Sequence, residues 1–411
     1  MSSSKVSRKS TPAPEGSIDA PLKGIRVLDL SAYIAGPYGC SLLADMGADV
    51  IKIEPPGGDN LRRYPSTLDT ENRAFLGVNR GKRGIVLDLK NPEGLAMLVA
   101  LVKTTDVLVH NFRPAVPVRL GIDFASLRAH NPQLVYCAVT GYGEQGPDSG
   151  KAGYDQVLQA ISGLTALQGS AEHPEILYGS VVDYYAASML ASGVSAALFR
   201  RERSGKGCYV GVSLLRSALA MQSARLIWAE DEGRDVNRDM RSGGITGLHP
   251  TRKGTIYISA NTPHFWQALC DLTGMPDLAD DDRFDTVRKR ADIAPYLIGR
   301  LREALAARGA QDWQDLFGDR VPCAAVREVE DMFNDPQVKE EGMITRFEHP
   351  LVGSYQGFTG AVKFADDSAA LPNPAVQTSA PCYGQHTDEV LAEQGCSPET
   401  IARLRRNGAV S

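Results

Sequence analysis

Metal-binding, disulfide and nucleic-acid chemistry find little support in this chain. Its seven cysteines, spread from Cys40 to Cys396, are odd in number and include no C-x-x-C pair. That usage argues against a disulfide framework or a zinc knot and for a reducing cytosol. The seven histidines are dispersed without H-x-x-H or H-E-x-x-H spacing, and no Walker A sequence, G-x-S-x-G elbow or EF-hand loop occurs. A net charge of −5 offers no basic field for nucleic acid, so a polyanionic ligand would need local cations. Mean hydropathy is below zero and no apolar run reaches the roughly 20 residues of a membrane span. A soluble, cytoplasmic protein with no membrane partner is the expectation.

With 411 residues the chain exceeds one ordinary core, and 43% hydrophobic composition can fill two. Residues 1–20, Ser/Pro-rich with scattered charge and no apolar segment, read as a disordered tail. From about Leu22 to Thr140 short Val/Ile/Leu runs alternate with helix-length segments, the pattern of an α/β fold with a mainly parallel sheet. The expected strands are Gly24–Leu30, Asp49–Glu54, Gly84–Leu89, Asp106–His110 and Leu134–Thr140. A small-residue helix over Tyr184–Arg201 and a strand over Cys208–Leu214 follow. A polar, Gly-containing stretch then leads into a new strand and several helical segments. The expected organisation is a large domain (21–228), a smaller α+β domain (229–333) and a C-terminal part returning to the large one (334–411).

Gly141–Gly146 spells G-x-G-x-x-G after a strand, but Pro147-Asp148-Ser149-Gly150 favour turns where a dinucleotide site needs a helix. Asp183, at the junction of an apolar stretch and the small-residue helix, reads most simply as a helix N-cap. The same place suits a nucleophile: with a pKa near 4 a carboxylate is ionised without a base, and a helix N-terminus favours the anion. Asn79-Arg80-Gly81-Lys82-Arg83 precedes a strand and Asn111-Phe112-Arg113-Pro114 follows one. Together they form a candidate landing site for phosphates and an adenine ring.

A set of phrases in fixed order resembles the family III CoA-transferases, which include formyl-CoA and carnitine CoA-transferases and related methylacyl-CoA racemases. In the N-terminal half these are Pro21–Asp29, Ala35-Gly36-Pro37, Leu42–Glu54, Asn79–Leu89, Asn111–Pro114 and Arg119-Leu120-Gly121. Gly141–Pro147 with Gly153-Tyr154-Asp155 follows, then Val321-Pro322-Cys323, Asp335-Pro336-Gln337 and His386–Leu391. The resemblance implies a Rossmann-like large domain, a small domain and an interlocked-ring homodimer. It makes Asp183 the catalytic nucleophile, passing through aspartyl anhydride and aspartyl-CoA with no tightly bound cofactor and CoA or acyl-CoA as substrate. It assigns CoA contacts to Ala35, Lys82, Asn111, Phe112, Arg119, Tyr154 and Asp155. Pro55, Gln385 and Arg216 depart from the family pattern, which bears on the phosphate contacts.

For the acceptor, small carboxylic or dicarboxylic acids are expected, because Arg241, His249 and Arg252 flank a Gly-rich stretch containing Gly243 and Gly244 that the family places over the active site. An acyl-CoA racemase is the alternative, opposed by Tyr154 standing where that branch carries His, since tyrosine is a poor base at neutral pH. A non-catalytic acyl-CoA-binding protein is the second alternative.

Overall fold

The computed structural model describes residues 20–169, 172–233, 245–365 and 378–411. They form two compact units. One takes the described residues up to Leu226 and those from Pro336 to the end; the other is Ile227–Asp335.

In the first unit six strands form one sheet: β1 (Arg26–Asp29), β2 (Asp49–Glu54), β3 (Lys82–Val86), β4 (Val107–His110), β5 (Val135–Thr140) and β6 (Tyr209–Ser213). The order is β3-β2-β1-β4-β5-β6 and every pairing is parallel. The chain winds outward from β1 to β3 and then returns to lay β4 on the other side of β1. The reversal leaves a crevice at the carboxyl ends of β1 and β4, where ligands bind in doubly wound sheets.

The strands are continuous Val/Ile/Leu runs because both faces are covered. Alternation sorts them: Val27, Val50, Val107 and Val135 join one buried cluster, Leu28, Ile51, Leu108 and Tyr136 the other. The first cluster is closed by the helices Ala35–Asp45 and Val181–Ser204. They cross closely at Gly39, where a Cβ would lie 2.9 Å from Leu190 Cδ1 and 3.1 Å from the Ala187 carbonyl. The small residues of the longer helix are therefore packing residues. That helix also corrects an expectation: its 24 residues, with a window hydropathy of 1.2, are long and apolar enough to cross a membrane. Its Val182, Ala186, Ala187, Leu190 and Val194 are spent on the sheet instead.

The opposite face is closed by the helix Pro92–Val102 and by the terminal helices Thr387–Glu393 and Pro398–Arg406, which contribute Val390, Leu391, Ile401 and Leu404. Strand β3 begins two residues earlier than expected, at Lys82, and pairs with β2 through Glu54↔Val86. Leu87 leaves it to bridge Val410. Ahead of those terminal helices in sequence, the C-terminal part also forms a hairpin of β10 (Ile344–His349) and β11 (Gly353–Phe358).

The second unit has its own core. An antiparallel sheet of β7 (Gly247–Pro250), β8 (Thr255–Ile258) and β9 (Cys323–Ala325) packs with helices around Trp266, Leu301, Trp313 and Phe317.

Candidate active site

The site grows from the loop that follows β1. Asn111, just past β4, clasps it from the side: its Oδ1 accepts from the Ala32 amide at 3.0 Å and its Nδ2 donates to the Ala32 carbonyl at 2.7 Å. From below, Lys52 Nζ donates to the Ser31 carbonyl and to Asp59 Oδ2, both at 2.9 Å, and Asp59 Oδ1 accepts from the Tyr33 amide at 3.2 Å. These bonds hold Tyr33 at φ +66°, a left-handed conformation that a bulky residue adopts only when its surroundings impose it.

Tyr33 is a wall shared by three cavities of the first unit. One runs past Ala35, Asn111, Phe112, Thr140 and Gly141 to Tyr154 and Asp183. A second, on the other side of Tyr33, is bounded by Tyr64, Asn72, Arg73, Tyr154, Ser180 and again Asp183. The third continues outward from Asn111 and Phe112 to Arg63, Lys90 and Arg119. A path thus leads from a mouth that carries Arg63, Lys90 and Arg119 beside Asp88, past Phe112, to Asp183, with a separate chamber beyond. The Tyr33 and Tyr154 rings meet edge to face with centroids 6.0 Å apart.

Asp183 is not the N-cap of its helix. Ser180 occupies that position at φ +53° without a side-chain bond, and Asp183 stands in the first turn. The capping comes from elsewhere in the chain. The buried Asp155 carboxylate accepts through Oδ2 from the Val182 amide at 2.7 Å and the Asp183 amide at 3.0 Å. Gln159 locks it: its Nε2 donates to Asp155 Oδ1 and, at 2.7 Å, to the Leu177 carbonyl, while its Oε1 accepts from the Leu177 amide at 3.1 Å. The Asp183 carboxylate itself is half-buried and takes part in no hydrogen bond or ion pair among the described residues. Burial, helped by the like charge of Asp155, pushes its pKa up to about 7. The expectation of an ordinary carboxylate favoured by its helix is therefore corrected: the nucleophile candidate is basic, and the amides that would have stabilised its anion serve Asp155.

Of the residues assigned to CoA, Ala35, Asn111, Phe112, Arg119 and Tyr154 line these cavities. Two do other work. Lys82 is wholly buried, donating to Asp29 Oδ2 at 2.8 Å, the Pro37 carbonyl at 2.7 Å and Asn79 Oδ1 at 2.8 Å. Burial lowers its pKa, against the pull of Asp29. It supports the sheet, and its neighbours Arg80 and Arg83 are likewise engaged, with Asp45 and with Asp49, Glu389 and Glu393. Asp155 touches the cavity beside Arg73, but both its oxygens are turned into the protein.

His249, in the second unit, is fully buried on β7, its Nε2 2.9 Å from the Ile245 carbonyl. It is a core residue, not a substrate contact. Arg241, Gly243 and Gly244 lie outside the described residues. The G-x-G-x-x-G stretch forms turns with Gly143 at φ +101° and Gly146 at φ +91° and opens no helix, as its proline predicted. Tyr33, Arg73 and Gln159 carried no motif, and only their placement reveals them.

These features have counterparts among known proteins. Residues 22–387 match CoA-transferase family III. Succinyl-CoA:glutarate CoA-transferase of Mus musculus is 31% identical over 93% of this chain and 89% of its own length. Acetyl-CoA:oxalate CoA-transferase of Acetobacter aceti is 35% identical over 82% and 88%. A crystal structure of a CAIB/BAIF family protein from Brucella suis superposes with a TM-score of 0.79 at 29% identity, covering 92% of this chain and all of that one. With this match over nearly its whole length, the chain belongs to CoA-transferase family III.

Proposed function

We propose that this protein moves coenzyme A from an acyl-CoA donor to a small dicarboxylic acid, with Asp183 as the nucleophile. One observation carries the reading: a basic carboxylate, without a hydrogen bond or ion pair among the described residues, sits where two cavities meet, at the end of a path whose mouth carries Arg63, Lys90 and Arg119. The phosphates of CoA lie against Arg63, Lys90 and Arg119, and the pantetheine arm passes Asn111 and Phe112. This delivers the thioester to Asp183.

Asp183 attacks the thioester carbonyl, forming a mixed anhydride and releasing CoA thiolate. The thiolate attacks the aspartyl carbonyl, giving aspartyl-CoA and freeing the donor acid. The acceptor carboxylate then displaces CoA to form a second anhydride, and the thiolate attacks its acyl carbon to yield the new acyl-CoA and restore Asp183. A pKa about 7 serves this sequence: a more basic carboxylate attacks better, yet half of it remains ionised at neutral pH.

The relatives that act on glutarate and oxalate support a dicarboxylate acceptor, and Arg73 in the far chamber supplies a cation for its second carboxylate. Membership of the family supports assembly as a homodimer of interlocked rings. Seven unpaired cysteines support a reducing, cytoplasmic setting.

The test is mass spectrometry of protein incubated with succinyl-CoA and trapped with hydroxylamine, comparing wild type with Asp183→Ala. A modification mapping to Asp183 and absent from the variant is expected. If no acyl-CoA donor labels wild type while the α-proton of a branched acyl-CoA exchanges with solvent deuterium, racemisation replaces transfer.

A further inference from the structure

We infer that Asp155 is a positioning residue for Asp183: it anchors the helix end that carries the nucleophile and is the anion against which that nucleophile is deprotonated. The inference rests on Asp183 acting as the nucleophile, and it concerns what makes Asp183 fit for that role.

The geometry is specific. A helix N-terminus ordinarily draws its cap from the residue that precedes it. Here that residue, Ser180, sits at φ +53° and offers no side-chain bond, so the turn would leave its amides open. Asp155, 28 residues before Asp183, fills the place through one oxygen that takes the amides of both Val182 and Asp183. Its other oxygen is fixed by Gln159, which also grips the backbone of Leu177 on both its polar groups. Gln159 and Asp155 are buried, at 2% and 3% exposure, so these bonds are shielded from bulk solvent. The carboxylate thus accepts from three N–H donors, two of them backbone amides.

Its charge then acts on Asp183, whose backbone it touches. The other ionisable groups around Asp183 are Arg113 and Lys151 along the first cavity, Tyr64 and Arg73 along the second, Tyr33 and Tyr154 in both, and the adjacent Tyr184. Lys151 is engaged with Asp148 at 2.6 Å and Arg73 donates to the Thr67 hydroxyl at 2.8 Å. Asp155 is the one carboxylate among the described groups lining either cavity beside Asp183. The result is a division of labour between two carboxylates: Asp155 takes the stabilising amides, and Asp183 is left electron-rich.

The test reads Asp183 labelling itself, as the rate of hydroxylamine-trapped adduct between about pH 5 and 9. Asp155→Asn removes the charge and should move the acid limb of that rate down by about one pH unit while lowering the plateau. Gln159→Leu keeps the charge but frees its holder, so labelling should slow several-fold with the limb unmoved. A merely structural role moves no limb. Coincident limbs for wild type and Asp155→Asn overturn the inference, as does labelling of Gln159→Leu at the wild-type rate. Should Asp155→Asn not fold, Asp155→Ser, which keeps an acceptor without a charge, is read in the same way. Wild-type protein unlabelled at Asp183 at every pH removes the nucleophile, and the inference with it.

Discussion

Replacing Lys82 with methionine should damage the sheet and leave CoA recognition unchanged in the protein that remains folded. The ammonium joins β3 to the end of β1 with no exposure, and its removal takes a bond at once from the Asp29 carboxylate, the Pro37 carbonyl and the Asn79 side chain. Asp29 keeps only Ser31 and the field of Lys52. Breaking a buried pair from one side costs about 3–5 kcal/mol, because the surviving charge has no water to return to. Tryptophan fluorescence will not report the loss faithfully, since Trp228, Trp266 and Trp313 all belong to Ile227–Asp335. Hydrogen exchange read by mass spectrometry on peptides covering β1, β2 and β3 will. Their protection should fall by roughly two to three orders of magnitude, as 1.4 kcal/mol is tenfold. The double variant Asp29→Asn/Lys82→Met should recover part of the loss by removing the orphaned charge. Undiminished protection in Lys82→Met, together with a raised KM for CoA, would refute the reasoning and return Lys82 to the ligand.

Folded Asp183 holds its proton up to about 7 while the unfolded residue releases it near 3.8, so the folded chain binds the extra proton between those values and stability falls as pH rises through that window. Asp183→Asn should therefore be more stable than wild type at pH 8, by on the order of 2 kcal/mol after allowance for solvent screening, and show no such gain near pH 4; equal denaturant midpoints at both pH values would count against it. Arg119→Ala should raise the KM for the CoA donor about tenfold with acceptor KM unaltered, measured in steady-state exchange. Arg73→Ala should raise the KM of a dicarboxylic acceptor about tenfold but not that of a monocarboxylic one, and a uniform effect on both would remove the second-carboxylate role.

Much of the first unit was legible because its strands are read from both faces. Asp49–Glu54 announces itself as DVIKIE and forms β2 over those residues. Charged residues were harder, since a sequence tells their type and not their direction. Lys82 and Arg83 looked like a basic patch before a strand, but they lie in the strand, where Lys82 shares a face with Gly84 and Val86 and points into the protein. Asp155 was found by a motif and given the wrong partner, because a cap reaching across 28 residues leaves no local spacing to read. Tyr33 was missed altogether: tyrosine is not a residue that signals a left-handed backbone, and the bonds that impose it come from Asn111, Lys52 and Asp59, all distant in sequence or on another strand. Asp183 was legible as a position, and its basicity was not, because burial is a property of the finished fold.

The closing of the β3 side of the sheet by the last residues also has a temporal side. The Ala409 carbonyl accepts from the Asp88 amide at 3.0 Å, the His386 amide donates to the Gly84 carbonyl at 2.8 Å, and Val390, Leu391, Ile401 and Leu404 complete a face begun by Leu28. During synthesis, all of Ile227–Asp335 must leave the ribosome before those side chains exist. That insert is continuous in sequence and can fold as it emerges, whereas the strands made first, covered on this face by Pro92–Val102 alone among its closing helices, wait with part of the face open until translation is nearly over. A nascent chain stalled ahead of Thr387 should accordingly be held by chaperones through its oldest segment rather than its newest.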